Sequence, residues 1–271
     1  MNFRGNWLIV TGASSGLGRE MARVLAREHG ANLVLVARRE ERLRELAEEL
    51  TEQHGVEIQV LPADLGDEGD VQRVFEESTA ANPIYGVILN AGITHFGHFD
   101  ELSFERFKTM LSVNVAGVVQ LTQSFLPYLE ARAENGGIML VSSLGGTTPV
   151  PYQSAYAGTK AFLVNYGCSL HHEMFGRGVS ITTFAPGGID TEMTGGKRFD
   201  DLRGWLMPVD QCAREAVTGF RKRRYLHVPG FMYRWGSVFM RLLPQRFLVS
   251  RVAAQYRNSL GERSLPSEGS P

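Results

Sequence analysis

Cysteine is scarce in this 271-residue chain: Cys168 and Cys212 are the only two, and neither sits in a cluster spaced for a metal. That excludes a disulfide framework and a cysteine-built zinc site, and it predicts a reducing, cytoplasmic compartment. Cys168 is expected to be a small buried thiol within a helix. No apolar run reaches the roughly 18 residues that a membrane-spanning helix needs. The polar start leads straight into a strand and is read as leaving no room for a signal peptide. An excess of one charge is lacking too. The chain has 28 Lys and Arg against 29 Asp and Glu, a net charge of −1, which removes any general electrostatic case for nucleic acid. Internal repeats and metal-ligand spacings are absent. What is present is 43% hydrophobic content over a length suited to one large domain with a full core.

Apolar runs end near Val10, Val36, Leu61, Leu89, Val141 and Phe184, and a short seventh is expected at Tyr225-Leu226-His227-Val228. Amphipathic stretches lie between them, such as 41–50, where Leu43, Leu46 and Leu50 share one face. Two connecting helices are expected to be long, at roughly 104–131, with Pro127 inside, and 154–175. Strands alternating with helices predict an α/β fold, a doubly wound parallel sheet of about seven strands with helices on both faces. Ligands on such sheets bind beyond the carboxyl ends of the strands.

Two motifs fall on that edge. Thr11-Gly12-Ala13-Ser14-Ser15-Gly16-Leu17-Gly18 follows the apolar run Trp7-Leu8-Ile9-Val10 and opens a helical pattern over 20–28. Glycines there allow a tight turn and let a phosphate approach the free N–H groups of the helix start. Further on, Tyr156 and Lys160 stand four residues apart, with Ser143 thirteen residues before the tyrosine. An i,i+4 pair shares one helix face. A lysine charge about 5 Å from the phenol, at an effective dielectric of ~20, would favour the phenolate by roughly 3 kcal/mol, or about two pH units. That would turn a weak acid into a usable general acid or base.

Together the motifs resemble the short-chain dehydrogenase/reductase family, over about residues 5–230. Leu89-Asn90-Ala91-Gly92 resembles its N-A-G strand end, Asp64-Leu65 its adenine contact, Asn114 its helix-four asparagine and Ser142-Ser143 its serine strand. Pro186-Gly187, then Ile189 and Thr191, resembles its nicotinamide loop. The resemblance implies a single Rossmann-type catalytic domain over 1–230, with a substrate lid at 188–208. It implies hydride transfer between a nicotinamide cofactor and a carbonyl or alcohol. Tyr156 would be the general acid or base, and Ser143 would orient the carbonyl. Lys160 would hold the nicotinamide ribose and lower the tyrosine pKa, while Asn114 would anchor a water chain. Cofactor contacts would come from Gly12, Ser14, Ser15, Gly16, Leu17, Gly18, Asp64, Leu65, Asn90, Ala91, Gly92, Tyr156, Lys160, Pro186, Gly187, Ile189 and Thr191. A homodimer or homotetramer through the two long helices is also implied.

Cofactor choice is read at Ala37-Arg38-Arg39. An NAD site would usually place Asp or Glu there to accept from the ribose 2′-hydroxyl. Two arginines suit a 2′-phosphate instead, so NADP(H) is favoured over NAD(H). Arg38, immediately after the selectivity position, is preferred to Arg39. For the substrate, His95, Leu144, Tyr152, Met193 and Trp205 are expected to line a pocket for a lipophilic ketone, aldehyde or alcohol. His171 and His172 are expected on the exposed side of a helix.

The segment 221–257 carries nine Lys and Arg and no Asp or Glu. Phe231, Trp235, Val238, Phe239, Leu242 and Leu243 recur at helical spacing, and a second helix is expected after Pro244. Residues 231–260 are read as a basic amphipathic extension packed on the same domain, and 261–271 as a disordered tail. Peripheral membrane contact through 231–257 stays open as a second reading. Two alternatives to the NADP(H) enzyme also stay open, an NAD(H)-dependent alcohol dehydrogenase and a non-catalytic dinucleotide-binding or membrane-peripheral protein.

Overall fold

Seven apolar runs form one parallel sheet in a computed structural model, which describes residues 1–195, 204, 206–231, 233–234 and 244–260. The strands are β1 (Trp7–Thr11), β2 (Asn32–Ala37), β3 (Ile58–Pro62), β4 (Ile84–Leu89), β5 (Gly137–Val141), β6 (Ser180–Phe184) and β7 (Leu226–His227), in the order β3-β2-β1-β4-β5-β6-β7. The expected seventh strand is there, shortened to the two residues that pair with Thr183 and Phe184. Strands covered on both faces read as near-continuous apolar runs. Every residue of β4, β5 and β6 is accordingly buried.

The helices, in chain order, are α1 (Gly16–His29), α2 (Glu40–His54), α3 (Glu68–Ala81), α4 (Phe104–Leu111), α5 (Gly117–Arg132), α6 (Ser154–Glu173), α7 (Val209–Arg221) and α8 (Gln245–Leu260). One core unites α1, α2 and α7 through residues such as Met21, Leu25, Leu43 and Phe220. The other unites α3, α5 and α6 through Val74, Phe125 and Leu163. Each fully buried Leu or Phe side chain contributes about 1.5–3 kcal/mol, so the two layers fix the sheet between them.

The helix expected at 104–131 is present over 104–132, with one widened turn inside it. Between α4 and α5 the turn Ser112–Ala116 widens to i→i+5 bonding, because Asn114 turns inward and bonds to the backbone of Ile93. Gly117 follows because an added methyl would overlap the Leu65 carbonyl oxygen. His171 also departs from expectation: its Nδ1 lies 2.7 Å from the Ile181 carbonyl oxygen and its ring packs edge-on to Tyr225, while His172 is exposed. Cys168 is half-buried rather than fully enclosed.

The helix expected after Pro244 is α8. Trp235, Val238, Phe239, Arg241, Leu242 and Leu243, residues 196–203 of the expected lid, Trp205 of the expected pocket and the tail 261–271 lie outside the described residues. Among the described residues no helix is long and apolar enough to cross a membrane.

Candidate active site

The strand order reverses between β1 and β4, and a crevice opens there at the carboxyl edge. Thr11 closes its floor. Its Oγ1 accepts from the amides of Asn90 at 2.9 Å and Ala91 at 3.0 Å, and its carbonyl accepts from Asn90 Nδ2 at 2.9 Å. The chain turns sharply at Gly12 and Gly16, whose φ angles of 69° and 53° suit glycine. Helix α1 then starts at Gly16 with Ser15 in the capping position but making no side-chain capping bond. Its first N–H groups are therefore available to an anion. Gly18 fits against the Gly12 carbonyl, with Asn90 Nδ2 only 2.6 Å from where a Cβ would stand.

From this floor a cavity of about 710 Å³ extends between β4, β5 and α8. Gly12, Ser14, Ser15, Gly16 and Leu17 line it at one end. Asp64, Leu65, Asn90, Ala91 and Gly92 line its middle, and Pro186, Gly187, Ile189 and Thr191 the far wall. Gly18 sits behind the loop and shapes it without facing the cavity.

Ser143, Tyr156 and Lys160 meet on the same cavity wall. Ser143 follows β5, where its Oγ accepts from the Gly145 amide at 3.1 Å and hydrogen-bonds the Tyr156 hydroxyl. Helix α6 carries Tyr156 and Lys160 one turn apart, and the ammonium lies 5.7 Å from the tyrosine ring centre. Ser142 fastens that helix to β5 by donating to the Lys160 carbonyl at 2.7 Å. Gly146 must be bare, since a Cβ would stand 2.5 Å from the same carbonyl oxygen.

The electrostatics correct the expectation that Lys160 would pull the phenol down. Tyr156 keeps some exposure to the cavity, but loss of hydration pushes its pKa up to about 12 despite the opposing Ser143 hydrogen bond. Lys160 is 4% exposed, and burial pushes its ammonium down to about 8. Desolvation penalises both charged forms and is the largest cause of both shifts. The ammonium donates to the Val141 carbonyl at 2.9 Å, which leaves it further donors for a sugar hydroxyl.

Asn114 is fully buried and does not face the cavity. Its Oδ1 accepts from the Ile93 amide at 2.8 Å, and its Nδ2 donates to the Ile93 carbonyl at 2.9 Å and to Thr159 Oγ1 at 3.0 Å. Gly92 lies between this amide and Lys160: a Cβ there would be 3.3 Å from Asn114 Oδ1 and 3.4 Å from Lys160 Nζ.

The two arginines after β2 behave differently. Arg38 is largely exposed and, among the described residues, pairs with Asp64 at 3.8 Å. Arg39 turns back over the glycine loop, where its Nε and Nη2 donate to Ser14 Oγ at 3.2 and 3.1 Å and Nη2 donates to Ser15 Oγ at 2.6 Å. Both arginines line the cavity, and the Arg39 fork spans both serines.

Leu144 and Met193 line the wide end of the cavity, as expected from sequence, but His95 and Tyr152 do not. His95 is buried with Nε2 3.2 Å from the His98 carbonyl oxygen. Tyr152 has a left-handed backbone, φ 64°, and packs edge-on to His98 with its hydroxyl 3.4 Å from Arg257 Nε. Sequence reading missed Glu192, Tyr233, Val252, Gln255 and Tyr256, all of which line the cavity. Val252 and Tyr256 are i,i+4 on α8, a spacing that could have marked one inward face. Tyr256 meets Phe96 edge-on at 5.1 Å.

The donor set fits a dinucleotide: an uncapped helix start, a bare glycine floor, a buried ammonium and a guanidinium at one end. Comparison with known proteins agrees. The family described as short chain dehydrogenase matches residues 6–201. A protein named 11-beta-hydroxysteroid dehydrogenase from Pinus massoniana is 35% identical over 260 residues, covering 88% of this chain and 70% of its own length. A short-chain dehydrogenase from Sphingobium yanoikuyae, solved with NADPH, is 27% identical with a TM-score of 0.78, covering 97% of this chain and 99% of that one. A 3-ketoacyl-(acyl-carrier-protein) reductase from Brucella melitensis, solved with NADH, is 26% identical with a TM-score of 0.73, covering 83% of this chain and 95% of that one. The chain belongs to the short-chain dehydrogenase/reductase family and is an NAD(P)-dependent oxidoreductase of small carbonyl or alcohol substrates.

Proposed function

We propose that this enzyme uses NADP(H) to reduce bulky, lipophilic ketones or aldehydes, with Tyr156 as the proton donor. The observation that carries the reading is the meeting of Ser143, Tyr156 and Lys160 on one wall of a cavity whose far end is closed by Arg39. When bound, the nicotinamide supplies the hydride.

The chain's own residues do the rest. Ser143 and Tyr156 place two hydroxyls side by side, so a carbonyl oxygen can accept from both and its carbon is held in one orientation. Tyr156 is protonated at neutral pH, which is the form that reduction consumes. It releases that proton as charge develops on the substrate oxygen. Lys160 then stabilises the phenolate across the 5.7 Å that separates ammonium and ring. Asn114 acts as a positioning residue, holding the Gly92–Ile93 backbone beside Lys160. At the wide end Leu144, Val150, Leu206, Val252 and Tyr256 offer apolar surface, which favours a substrate with a bulky hydrocarbon body. The relation to a protein named for a hydroxysteroid supports the same class.

The cofactor preference is tested by titrating NADPH and NADH by nucleotide fluorescence, with wild type and Arg39→Ala. NADPH should bind the wild type more tightly. The substitution should weaken NADPH by about 10–100-fold, the scale of charge-assisted hydrogen bonds, while changing NADH by no more than a few-fold. Equal weakening of both would contradict a 2′-phosphate contact.

A pH dependence follows from Lys160. Below about pH 8 the ammonium is charged, and above it the charge is lost. The value of kcat/KM for NADPH, which reports ionisations of the free enzyme, should hold level to about pH 8 and then decline. A profile level through pH 10 would contradict this role.

A further inference from the structure

Glu192 has no part in the reduction chemistry, yet it stands at the cofactor end of the cavity. It begins the short turn Glu192–Thr194, which is fixed by reciprocal bonds between Thr191 and Thr194: the Thr191 amide donates to Thr194 Oγ1 at 3.1 Å, and the Thr194 amide to the Thr191 carbonyl at 3.0 Å. From there its carboxylate spans the glycine loop to the start of α2. Arg42 Nη1 donates to its two oxygens at 2.8 and 3.1 Å, and Arg39 Nη1 donates to one of them at 3.3 Å.

Arg39 thus has its fork divided between two serine hydroxyls and one carboxylate. The hydroxyls are no obstacle to a phosphate, because Ser14 and Ser15 can rotate from acceptors to donors. The carboxylate cannot. It is an anion held on the guanidinium that a 2′-phosphate would use, and Arg42 above all, with Arg39, holds its pKa below the usual glutamate value, so it stays charged at neutral pH. A ribose 2′-hydroxyl meets no such opposition.

We infer that Glu192 is a specificity-determining residue: its carboxylate occupies the Arg39 site that a cofactor 2′-phosphate would take, and so restrains the preference for NADP(H) over NAD(H). This inference rests on the reading of Arg39 as the 2′-phosphate contact. Removing the charge while keeping the side-chain shape should therefore tighten binding only of nucleotides that carry a 2′-phosphate. The effect should be about 3–10-fold, the scale of an exposed contact between charges.

The experiment compares adenosine 2′,5′-bisphosphate with ADP by calorimetric titration. The proteins are wild type, Glu192→Gln, Arg39→Ala and the double variant, each checked for an unchanged melting transition. Glu192→Gln should bind the bisphosphate about 3–10-fold more tightly and bind ADP within about twofold of wild type. The gain should vanish in the Arg39→Ala background and shrink as salt is raised. Unchanged affinities, an equal change for both ligands, or a gain that survives without Arg39 would overturn the assignment of Glu192. In those cases a wild-type preference for the bisphosphate that is lost in Arg39→Ala leaves the NADP(H) reading standing. A wild type that does not distinguish the two ligands defeats that reading, and the role of Glu192 with it.

Discussion

Tyr156→Phe should lower the rate of carbonyl reduction by about 10²–10⁴-fold, the usual worth of a positioned general acid, and leave nucleotide affinity within a few-fold of wild type. The split follows from where the hydroxyl sits. Phenylalanine keeps the ring beside Lys160, so the wall of the cavity and the ammonium 5.7 Å from its centre are preserved. It removes the hydroxyl that bonds Ser143 and that the proposed mechanism makes the proton donor. Single-turnover oxidation of bound NADPH, measured beside nucleotide binding, separates the two effects. Turnover surviving in the variant would move the proton donor elsewhere. Matching losses of binding and turnover would show that the ring, not the hydroxyl, matters.

Gly18→Ala should be nearly as damaging by another route. The added methyl would overlap the Gly12 carbonyl oxygen and come within 2.6 Å of Asn90 Nδ2. Neither neighbour can yield cheaply. Gly12 holds the turn with φ 69°, and Asn90 is tied to the Thr11 carbonyl at 2.9 Å. Such overpacking costs about 1–3 kcal/mol or more, and the strain falls where the glycine loop meets the floor of the crevice. The variant should bind NADPH about 5–100-fold more weakly, strain of that size converted at about 1.4 kcal/mol per tenfold, and should melt at lower temperature. Unchanged affinity and melting in the Gly18→Ala variant would mean the loop is far more compliant than its contacts suggest.

The features legible in the sequence were those set by short-range rules. Buried parallel strands are near-continuously apolar, so β1, β2, β4 and β5 showed as runs, while β6 carries Ser180, Thr182 and Thr183 among its buried positions. Glycines 12, 16 and 18 and the Tyr156–Lys160 pair lie close in the chain, and their spacing reported a loop and a shared helix face. Side-chain contacts between distant segments left no such trace. The bond from Asn114 to Ile93 accompanies the widened turn before α5, and its partner lies 21 residues away. The bridge from Glu192 to Arg39 spans 153 residues. The choice between Arg38 and Arg39 depended on which guanidinium folds back over Ser14 and Ser15, which composition cannot tell. The Tyr156 shift was misjudged for a different reason: the Lys160 spacing was visible in the chain, but the desolvation that raises the phenol depends on how the fold encloses it.

The most direct measurement is a stopped-flow experiment in which enzyme carrying stoichiometric NADPH is mixed with a series of ketones graded from acetone to a steroid-sized, uncharged ring ketone. The reading predicts oxidation of one bound NADPH per site, with kcat/KM rising with the apolar bulk of the ketone and falling to the Tyr156→Phe background in that variant. Bound NADPH that persists unoxidised with every ketone and aldehyde, while the nucleotide remains tightly held, would contradict it.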